Sequence, residues 1–361
     1  MAKVSVIVYA YNADKVLPEC LDSVISQSLE EIEIICINDG STDETVQVYQ
    51  KYAETDYRFK VINQEHLGRA FSKNRGIKVA TGEFVFFIKA EDKLPEKDIL
   101  EKLYSKAYEY DVVICGGELA MFKTESPELS QLGIEDGYKF ARDEIVFYDD
   151  YQYDYGYTRF IYNREFLINN QLYFPDYSYF ESQSFLVKAM LKAGKFYAVH
   201  KVTYAKRVTY ADIEWDRKKA TDLLRGIVEI MDVALENGYN RLMELAYVRL
   251  QENMKPVTKY FTMESLNLLV QIWGKCELMQ KDFNFDDKIN SVTTQCSRVS
   301  SKLEMQEKEI AYLKTKVAQL NSKIIMMSNT PSILQQIFSV RNINGHKVWT
   351  VLGFQFKFKI K

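Results

Sequence analysis

Apolar strand-like runs alternate with helical segments over the first 115 residues, and this alternation limits the possible folds more than any other feature. The runs are VSVIVYAYN, IEIICIND, RFKVINQ, EFVFFIKAED and DVVICGG. Continuous apolar strands separated by helices are typical of a parallel sheet that is covered on both faces. The sequence therefore predicts an α/β fold with a mostly parallel sheet, and ligands are expected beyond the carboxyl ends of its strands.

Composition excludes several other classes of protein. A hydrophobic content of 47% supports a sizeable core, and a net charge of −3 gives no positive field for nucleic acid. The five cysteines form no CxxC pair, so neither a disulfide framework nor a zinc site is indicated. No run approaches the ~18 apolar residues of a membrane span, and the N-terminus reads as a strand rather than a signal peptide. A cytoplasmic location is expected.

The pattern divides the chain into five parts. Residues 1–115 carry the alternating strands and helices, and residues 116–215 are mixed and rich in Tyr, Phe and acidic residues. Helical periodicity predicts an extension over 216–285, heptads predict a coiled coil over 286–327, and 331–361 is a short basic, β-like tail.

The coiled-coil prediction rests on apolar residues that recur at steps of three and four from Ile289 to Ile324. Ten of the eleven positions are apolar, and Gln306 is the exception. Five heptads exceed the three or four that identify a coiled coil, and Ile or Val at a with Leu at d favours a parallel dimer. A homodimer through 289–324 is therefore expected. The alternative is a helix that packs along its own domain.

The tail over 341–361 contains no acidic residue and carries a charge of +5. Phe354, Phe356 and Phe358 alternate with polar residues, which predicts a two-faced strand. Two interpretations stay open. The strand could contact an anionic membrane surface at the inner face of the plasma membrane, or it could be the lysine-guarded edge of a small sheet.

Four motifs occur in order along the first half: VSVIVYAYN, INDGSTDET, NQEHLGRAFSKNRGI and ATGEFVFFIKAEDKLP. In this order and spacing they resemble the nucleotide-sugar glycosyltransferases of the large inverting family 2, which have the Rossmann-like GT-A fold. A weaker match continues through YTRFIYNREFL and FPDYSYFESQSFLVKAMLKAG, so the resemblance covers about residues 3–210. It implies a nucleotide-sugar-binding half over 1–115 and an acceptor half over 116–215. The implied donor is a nucleotide-diphosphate sugar, with a UDP-sugar favoured, and the implied acceptor is a surface glycan or a lipid-linked glycan.

The resemblance also implies a donor site at the strand ends. Asp39 is placed to accept hydrogen bonds from the base or ribose, while Tyr9 stands where the family usually has proline and Lys73 where arginine is usual. The expected donor-binding residues are Tyr9, Tyr11, Asn12, Asp39, Gly40, Ser41, Lys73, Asn74, Lys89, Ala90, Glu91, Lys206 and Arg207.

The stretch FIKAEDKLP departs from the acidic Asp-x-Asp triplet with which the family holds a divalent metal. Lys89 takes the first acidic position, Ala90 the middle and Glu91 the last, with Asp92 following. An ammonium group is unsuited to the first shell of an oxygen-seeking ion, so Mn²⁺ or Mg²⁺ could bind only through Glu91 and Asp92. Alternatively, Asp92 caps a helix that begins near Pro95.

A second departure lies in the acceptor half, where the family usually carries Glu-Asp and the Asp serves as general base. This chain has Glu181-Ser182, and a serine cannot take the proton unless another base activates it. The candidate catalytic residues are therefore Glu181, Ser182 and Asp176, which is the other nearby carboxylate.

Three functional hypotheses follow. In the first, the chain is an active, metal-independent transferase in which Lys89, helped by Lys206 and Arg207, neutralises the donor diphosphate. In the second, it is a catalytically inactive homologue that acts as a partner in polysaccharide assembly. In the third, it is a carbohydrate- or nucleotide-binding module with the tyrosine-rich segment 148–157 as its contact surface.

Overall fold

The computed structural model describes residues 2–123, 126–130, 139–208, 213–280, 315, 338–343, 346–351 and 354–359. The chain divides into two compact units, Met1–Asn284 and Phe285–Lys361.

The first unit begins with four parallel strands, as the sequence predicts. They are β1 (Val4–Ala10), β2 (Ile32–Asp39), β3 (Phe59–Gln64) and β4 (Phe84–Lys89), and they lie in the order β3-β2-β1-β4. The helices between and after them are α1 (Leu17–Ile25), α2 (Thr45–Thr55), α3 (Arg69–Val79) and α4 (Ile99–Glu109). Every residue of β1 is buried because helices cover both faces of the sheet.

The sheet continues with strands from the second half of the domain. These elements are β5 (Ile114–Lys123), β6 (Ser126–Ser130), β7 (Glu144–Phe147), α5 (Tyr148–Tyr151), β8 (Phe160–Asn163), α6 (Arg164–Asn169), α7 (Glu181–Ala193) and β9 (Lys195–Arg207). The full order is β3-β2-β1-β4-β8-β5-β9-β7, with β6 paired to β5. Strand β8 runs antiparallel to both β4 and β5, so the two halves share one continuous, mostly parallel sheet.

Packing in the second half buries most of the tyrosine-rich segment 148–157. Tyr148, Tyr151, Tyr153 and Tyr157 are all buried, and only Tyr155 of its tyrosines is partly accessible. The Tyr148, Tyr151 and Tyr153 rings therefore belong to the core, while Tyr155 and Tyr157 line a cavity.

Residues after β9 form the predicted helical region, with α8 (Arg217–Asn237), α9 (Asn240–Glu252), α10 (Met254–Lys259) and α11 (Met263–Gln280). The Asp216 side chain caps α8 by accepting a hydrogen bond from the Lys219 backbone N–H at 2.7 Å. Within the portion of the chain that the structure describes, no helix combines the length and apolarity needed to cross a membrane.

In the second unit, the heptads of 289–324 lie outside the described residues, apart from Thr315. Three described strands, β10 (Phe338–Ile343), β11 (His346–Val351) and β12 (Phe354–Lys359), form an antiparallel sheet in that order. The alternating tail sequence is thus a strand paired to β11, with Phe354 opposite Val351 and Lys359 opposite His346.

Gly116 provides a test of the packing between β5 and β8, where it lies opposite Phe160. A Cβ at this position would lie 2.0 Å from Cδ1 of the fully buried Phe160 ring. We expect Gly116→Ala to lower the free energy of unfolding by about 1–3 kcal/mol, as other overpacked cores do. Urea denaturation measures the change.

Gly274→Ala is the matched control, because Gly274 lies inside helix α11 with no atom within 4 Å of the added Cβ. This substitution should raise stability by up to ~1 kcal/mol through helix propensity. Equal stability of the two variants would contradict the close approach of β5 and β8.

Candidate functional site

The carboxyl ends of β1, β2 and β4 face the start of α7 across a cleft with two cavities. The first has a volume of about 420 Å³ and is lined by residues that include Tyr11, Asp39 and Asp176. The second has a volume of about 200 Å³ and includes Glu181, Ser182 and Lys206 in its wall. Tyr9, Arg69 and Lys89 line both cavities and therefore mark the boundary between them.

Asp39 forms the floor of the first cavity and holds the loop that follows β3. Its carboxylate accepts hydrogen bonds from the backbone N–H groups of Leu67 and Gly68, each at 3.0 Å. Gln64 donates to it at 2.7 Å, and the His66 ring nitrogen Nδ1 lies 2.9 Å from it. Asp39 therefore shapes this cavity by ordering its wall.

An aromatic pair stands at the rim of the first cavity. The Tyr11 and His66 rings stack with centroids 4.0 Å apart, and about half of Tyr11 is exposed. His66 was missed by the sequence analysis, although it lies inside the motif NQEHLGRAFSKNRGI. Such an exposed aromatic face is suited to stacking against a flat ring.

Three of the expected donor-binding residues shape the turns beside this cavity and do not line it. The Asn12 side chain accepts a hydrogen bond from the Thr42 backbone N–H at 2.8 Å, and the Ser41 hydroxyl accepts one from the Asn12 backbone N–H at 3.0 Å. Gly40 has a φ of 72°, and a Cβ there would lie 2.7 Å from the His66 nitrogen. Glycine is thus required where the β2 turn meets the loop.

The stretch after β4 is anchored to β9 by Asp92. The Asp92 carboxylate accepts hydrogen bonds from the Tyr204 hydroxyl at 2.6 Å and from the Arg207 backbone N–H at 2.8 Å. Burial raises the pKa of this carboxyl to about 6, although Lys89 opposes the rise. The helix-cap interpretation is corrected, since the next helix begins at Ile99 and Asp98 precedes it.

The residues at this position do not fit a divalent metal. The Lys89 ammonium group lies 3.9 Å from the Glu91 carboxylate, and both Asp92 oxygens already accept hydrogen bonds from the protein. Within the described ranges, no group of three His, Cys, Asp or Glu side chains could hold an ion. Ala90 and Glu91 line the first cavity, and Glu91 has the Lys89 ammonium beside it where a metal would need further oxygen ligands.

The predicted cations are separated by the fold. Lys206 lines the second cavity, with its Nζ atom 2.6 Å from the Tyr155 hydroxyl. Arg207 lines neither cavity, because its guanidinium pairs with Glu19 and donates to the Glu91 carbonyl at 2.8 Å. Arg69 was missed by the sequence analysis; it lies at the start of α3, lines both cavities, and has a side chain that is 52% exposed.

A buried ion pair joins the two halves beneath the cleft. Lys73 on α3 is fully buried, and its Nζ lies 2.9 Å from Glu181 Oε1 and 3.2 Å from Ser182 Oγ at the start of α7. The ammonium also lies 4.0 Å from the centre of the Phe174 ring. The structure therefore places Lys73 in a contact between α3 and α7 and outside the walls of both cavities.

Asn74 makes a second contact of this kind. Its side chain donates to the Phe174 carbonyl at 2.8 Å and accepts from the Phe174 backbone N–H at 2.9 Å. Helix α7 begins after Phe180, whose φ of 76° lies in the left-handed region. The Phe180 ring packs against Gly226 of α8, where a Cβ would lie 2.4 Å from the ring. The helical region thus supports the start of α7.

Charge interactions hold the Lys73–Glu181 pair ionised. Burial raises the pKa of Glu181, but Lys73 and Arg69 outweigh burial and lower it to about 2. Burial lowers the pKa of Lys73 to about 8, against the opposing effect of Glu181. Both groups are therefore charged at neutral pH.

The three candidate catalytic residues are divided between the cavities. Glu181 and Ser182 lie in the wall of the second cavity, and Asp176 lies in the wall of the first. The Asp176 carboxylate is fully exposed and 4.0 Å from Lys218. Tyr9 stands between the two groups, with its hydroxyl 2.7 Å from that of Tyr157.

Acid is expected to weaken the protein through Glu181. Its pKa in the folded state is about 2 and its ordinary value is 4.5, so the folded state binds fewer protons between these values. Stability is therefore lost as pH falls through this window, by about 3 kcal/mol at ~1.4 kcal/mol per pKa unit. Urea unfolding of the wild type and of Glu181→Gln across this pH range measures the effect. The free energy of unfolding of Glu181→Gln should fall less steeply with decreasing pH than that of the wild type. If the two proteins lose stability in parallel, the lowered pKa of Glu181 is contradicted.

Comparisons with known proteins agree with this geometry. The profile of the family described as "Glycosyl transferase family 2" matches residues 5–170. The glycosyltransferase GlyA of Streptococcus pneumoniae is 38% identical over 120 residues, which are 33% of this chain and 17% of GlyA. The poly(ribitol-phosphate) beta-N-acetylglucosaminyltransferase TarS of Staphylococcus aureus is 27% identical over 208 residues, covering 54% of this chain and 34% of TarS. The matches span about a third or less of these relatives.

A crystal structure of TarS 1-349 from S. aureus in complex with UDP-GlcNAc aligns with a TM-score of 0.62. The alignment covers 76% of this chain and 81% of that chain at 22% identity. A likeness at this identity is a likeness of fold. The profile match, the sheet order and the cleft at the strand ends agree, and the chain therefore carries a glycosyltransferase family 2 domain of the GT-A fold.

Proposed function

We propose that this chain transfers a sugar from a UDP-sugar to a polysaccharide or other surface-glycan acceptor, with inversion and without a divalent metal. The observation that carries the proposal is Lys89, which ends β4 and lines both cavities at their boundary. A donor that spans this boundary would place its diphosphate against the ammonium group. TarS is described with UDP-GlcNAc bound, which supports a UDP-sugar as the donor class.

Donor binding would begin in the first cavity. The Tyr11 ring offers a face for the uracil, and the loop ordered by Asp39 closes the other side. The sugar would then extend past Tyr9 into the second cavity, where the acceptor also enters. This path uses the whole cleft and brings the anomeric carbon near the start of α7.

Three side-chain cations would stabilise the leaving diphosphate. Lys89 and Arg69 lie at the boundary of the cavities, and Lys206 lies in the second cavity. As the bond between the anomeric carbon and the phosphate oxygen breaks, negative charge grows on that oxygen. Fixed cations stabilise this charge in the transition state more than in the ground state, which is what accelerates the reaction.

Assembly and membrane contact form a second part of the proposal, supported by the sequence pattern. The heptads of 289–324 would join two copies of the chain in parallel. The basic residues of 341–361, with a charge of +5, would bring the dimer to an anionic membrane surface where lipid-linked or surface glycans are built.

Calorimetric titration with UDP tests the metal-free donor site. We expect UDP to bind equally in EDTA and in Mg²⁺ or Mn²⁺, because Lys89 supplies charge that a metal would otherwise supply. Lys89→Ala should weaken binding at least about tenfold, since a charge-assisted hydrogen bond contributes about 1.5–3 kcal/mol.

Lys97→Ala is the control, since Lys97 is exposed on the segment that follows the same strand and lines neither cavity. Its affinity for UDP should equal that of the wild type. Binding that requires a metal would contradict the role of Lys89. Failure of UDP and other nucleoside diphosphates to bind at all would favour the inactive partner protein instead.

A further inference from the structure

The contact among Lys73, Glu181 and Ser182 has a directional hydrogen-bond pattern. Lys73 Nζ donates to Glu181 Oε1 at 2.9 Å and to Ser182 Oγ at 3.2 Å. The Ser182 hydroxyl donates to the same Glu181 oxygen at 3.2 Å. An ammonium group is only a donor and a carboxylate only an acceptor, so the direction of all three bonds is set by the chemistry of the groups.

Among the described residues, this pattern leaves one lone pair of the Ser182 hydroxyl oxygen without a hydrogen bond. A hydroxyl has one proton to donate and two lone pairs to accept with. The proton points to Glu181 and one lone pair accepts from Lys73, so the second lone pair is available to a ligand. Ser182 lines the second cavity, while Lys73 is fully buried behind it. Glu181 lines the same cavity, so the Ser182 hydroxyl lies between an incoming ligand and the carboxylate to which it donates.

We propose that Ser182 accepts the proton of the acceptor hydroxyl while passing its own proton to Glu181, and that Lys73 is the positioning residue for both. This inference rests on the proposed transfer reaction. In this proposal Glu181 is the base that activates Ser182, within hydrogen-bond distance of it. Lys73 positions these two residues and does not bind the sugar donor.

In this step one bond to the anomeric carbon forms, one breaks, and the acceptor proton reaches Glu181 through Ser182. The acceptor oxygen forms a bond to the anomeric carbon, and the bond from that carbon to the phosphate oxygen breaks with its electron pair going to the diphosphate. The acceptor proton moves to Ser182 Oγ, and the Ser182 proton moves to Glu181 Oε1. The neutral Glu181 carboxyl then releases the proton to water, and Lys73 stays an ammonium throughout.

Glu181 is a weak base in this position, since its pKa is lowered to about 2. A weak base is sufficient because the acceptor hydroxyl becomes strongly acidic as its oxygen bonds to the anomeric carbon. Among the described residues, the other charged and titratable groups around the pair include Arg69, Tyr9, Tyr157, Tyr179, Lys89 and Glu91. The Arg69 Nε atom, at 3.9 Å, is too distant for a direct hydrogen bond to Glu181.

The test uses the full chain with water as the acceptor. UDP release is measured from UDP-glucose, UDP-galactose and UDP-N-acetylglucosamine, alongside UDP affinity by calorimetry. Ser182→Ala should lower the rate of release about 100-fold, a typical contribution of general base catalysis, with UDP affinity unchanged. Ser182→Thr keeps a hydroxyl and should retain most of the activity.

A double variant separates one shared proton path from two independent effects. Glu181→Gln should lower release about as much as Ser182→Ala, and combining the two should cause no further loss, because both act in one path. Release by the wild type should be slower in D₂O, and this slowing should disappear in Ser182→Ala. Ser184→Ala is the control on the same helix, since its Oγ has no hydrogen-bond partner in the described parts of the chain.

Several outcomes would overturn the proposed proton relay, which is the transfer from the acceptor hydroxyl through Ser182 to Glu181, even though UDP still binds. They are equal rates for Ser182→Ala and the wild type, a double variant whose loss is the product of the single losses, and a wild type that releases no UDP from any of the three donors. A chain that does not bind UDP would overturn the proposed donor site and, with it, the relay.

Discussion

The buried ion pair between Lys73 and Glu181 is the interaction on which the cleft depends. An unpaired charge in this position would be costly, and removing one partner of such a pair commonly costs about 3–5 kcal/mol. The 2.9 Å contact between Lys73 and Glu181 therefore holds α3 of the first half against the start of α7 in the second half. Asn74 reinforces the same contact one residue later through its two hydrogen bonds to Phe174. Glu181 and Ser182, at this junction, lie in the wall of the second cavity.

A second constraint sets the position of Lys89. Asp92, three residues further along the chain, is tied to β9 through Tyr204 and the Arg207 backbone, and Lys93 pairs with Ala205 beside it. The stretch after β4 is thereby held against the second half of the sheet. Asp92 serves this anchoring role, while Lys89 lines the cleft. Lys89 and Arg69 line both cavities and Lys206 lines the second, so three cationic side chains border the ligand space.

Much of the architecture was predictable because it follows from local patterns. Continuous apolar runs predicted β1, β2, β3 and β4, and the structure confirms them as neighbouring parallel strands. Asn12 and Gly40 were expected to bind the donor, yet they shape turns beside the first cavity and do not line it. Arg69 and His66 were missed, because neither residue type nor spacing reveals that an exposed side chain will face a cavity. Lys206 and Arg207 are adjacent in sequence, yet alternation along β9 sends their side chains to different surroundings.

The sequence by itself determined the α/β class, the positions of the first strands along the chain, the family resemblance and the presence of a lysine at position 89. These features depend on periodicity and on residue identity, which are read along the chain. Only the tertiary structure decided which side chains meet: Lys73 with Glu181 and Ser182, Asp92 with Tyr204, and Tyr9 with Tyr157. These partners are separated by about a hundred residues or more. Their contacts exist because one continuous sheet brings the two halves together, and no local pattern in the sequence specifies that approach.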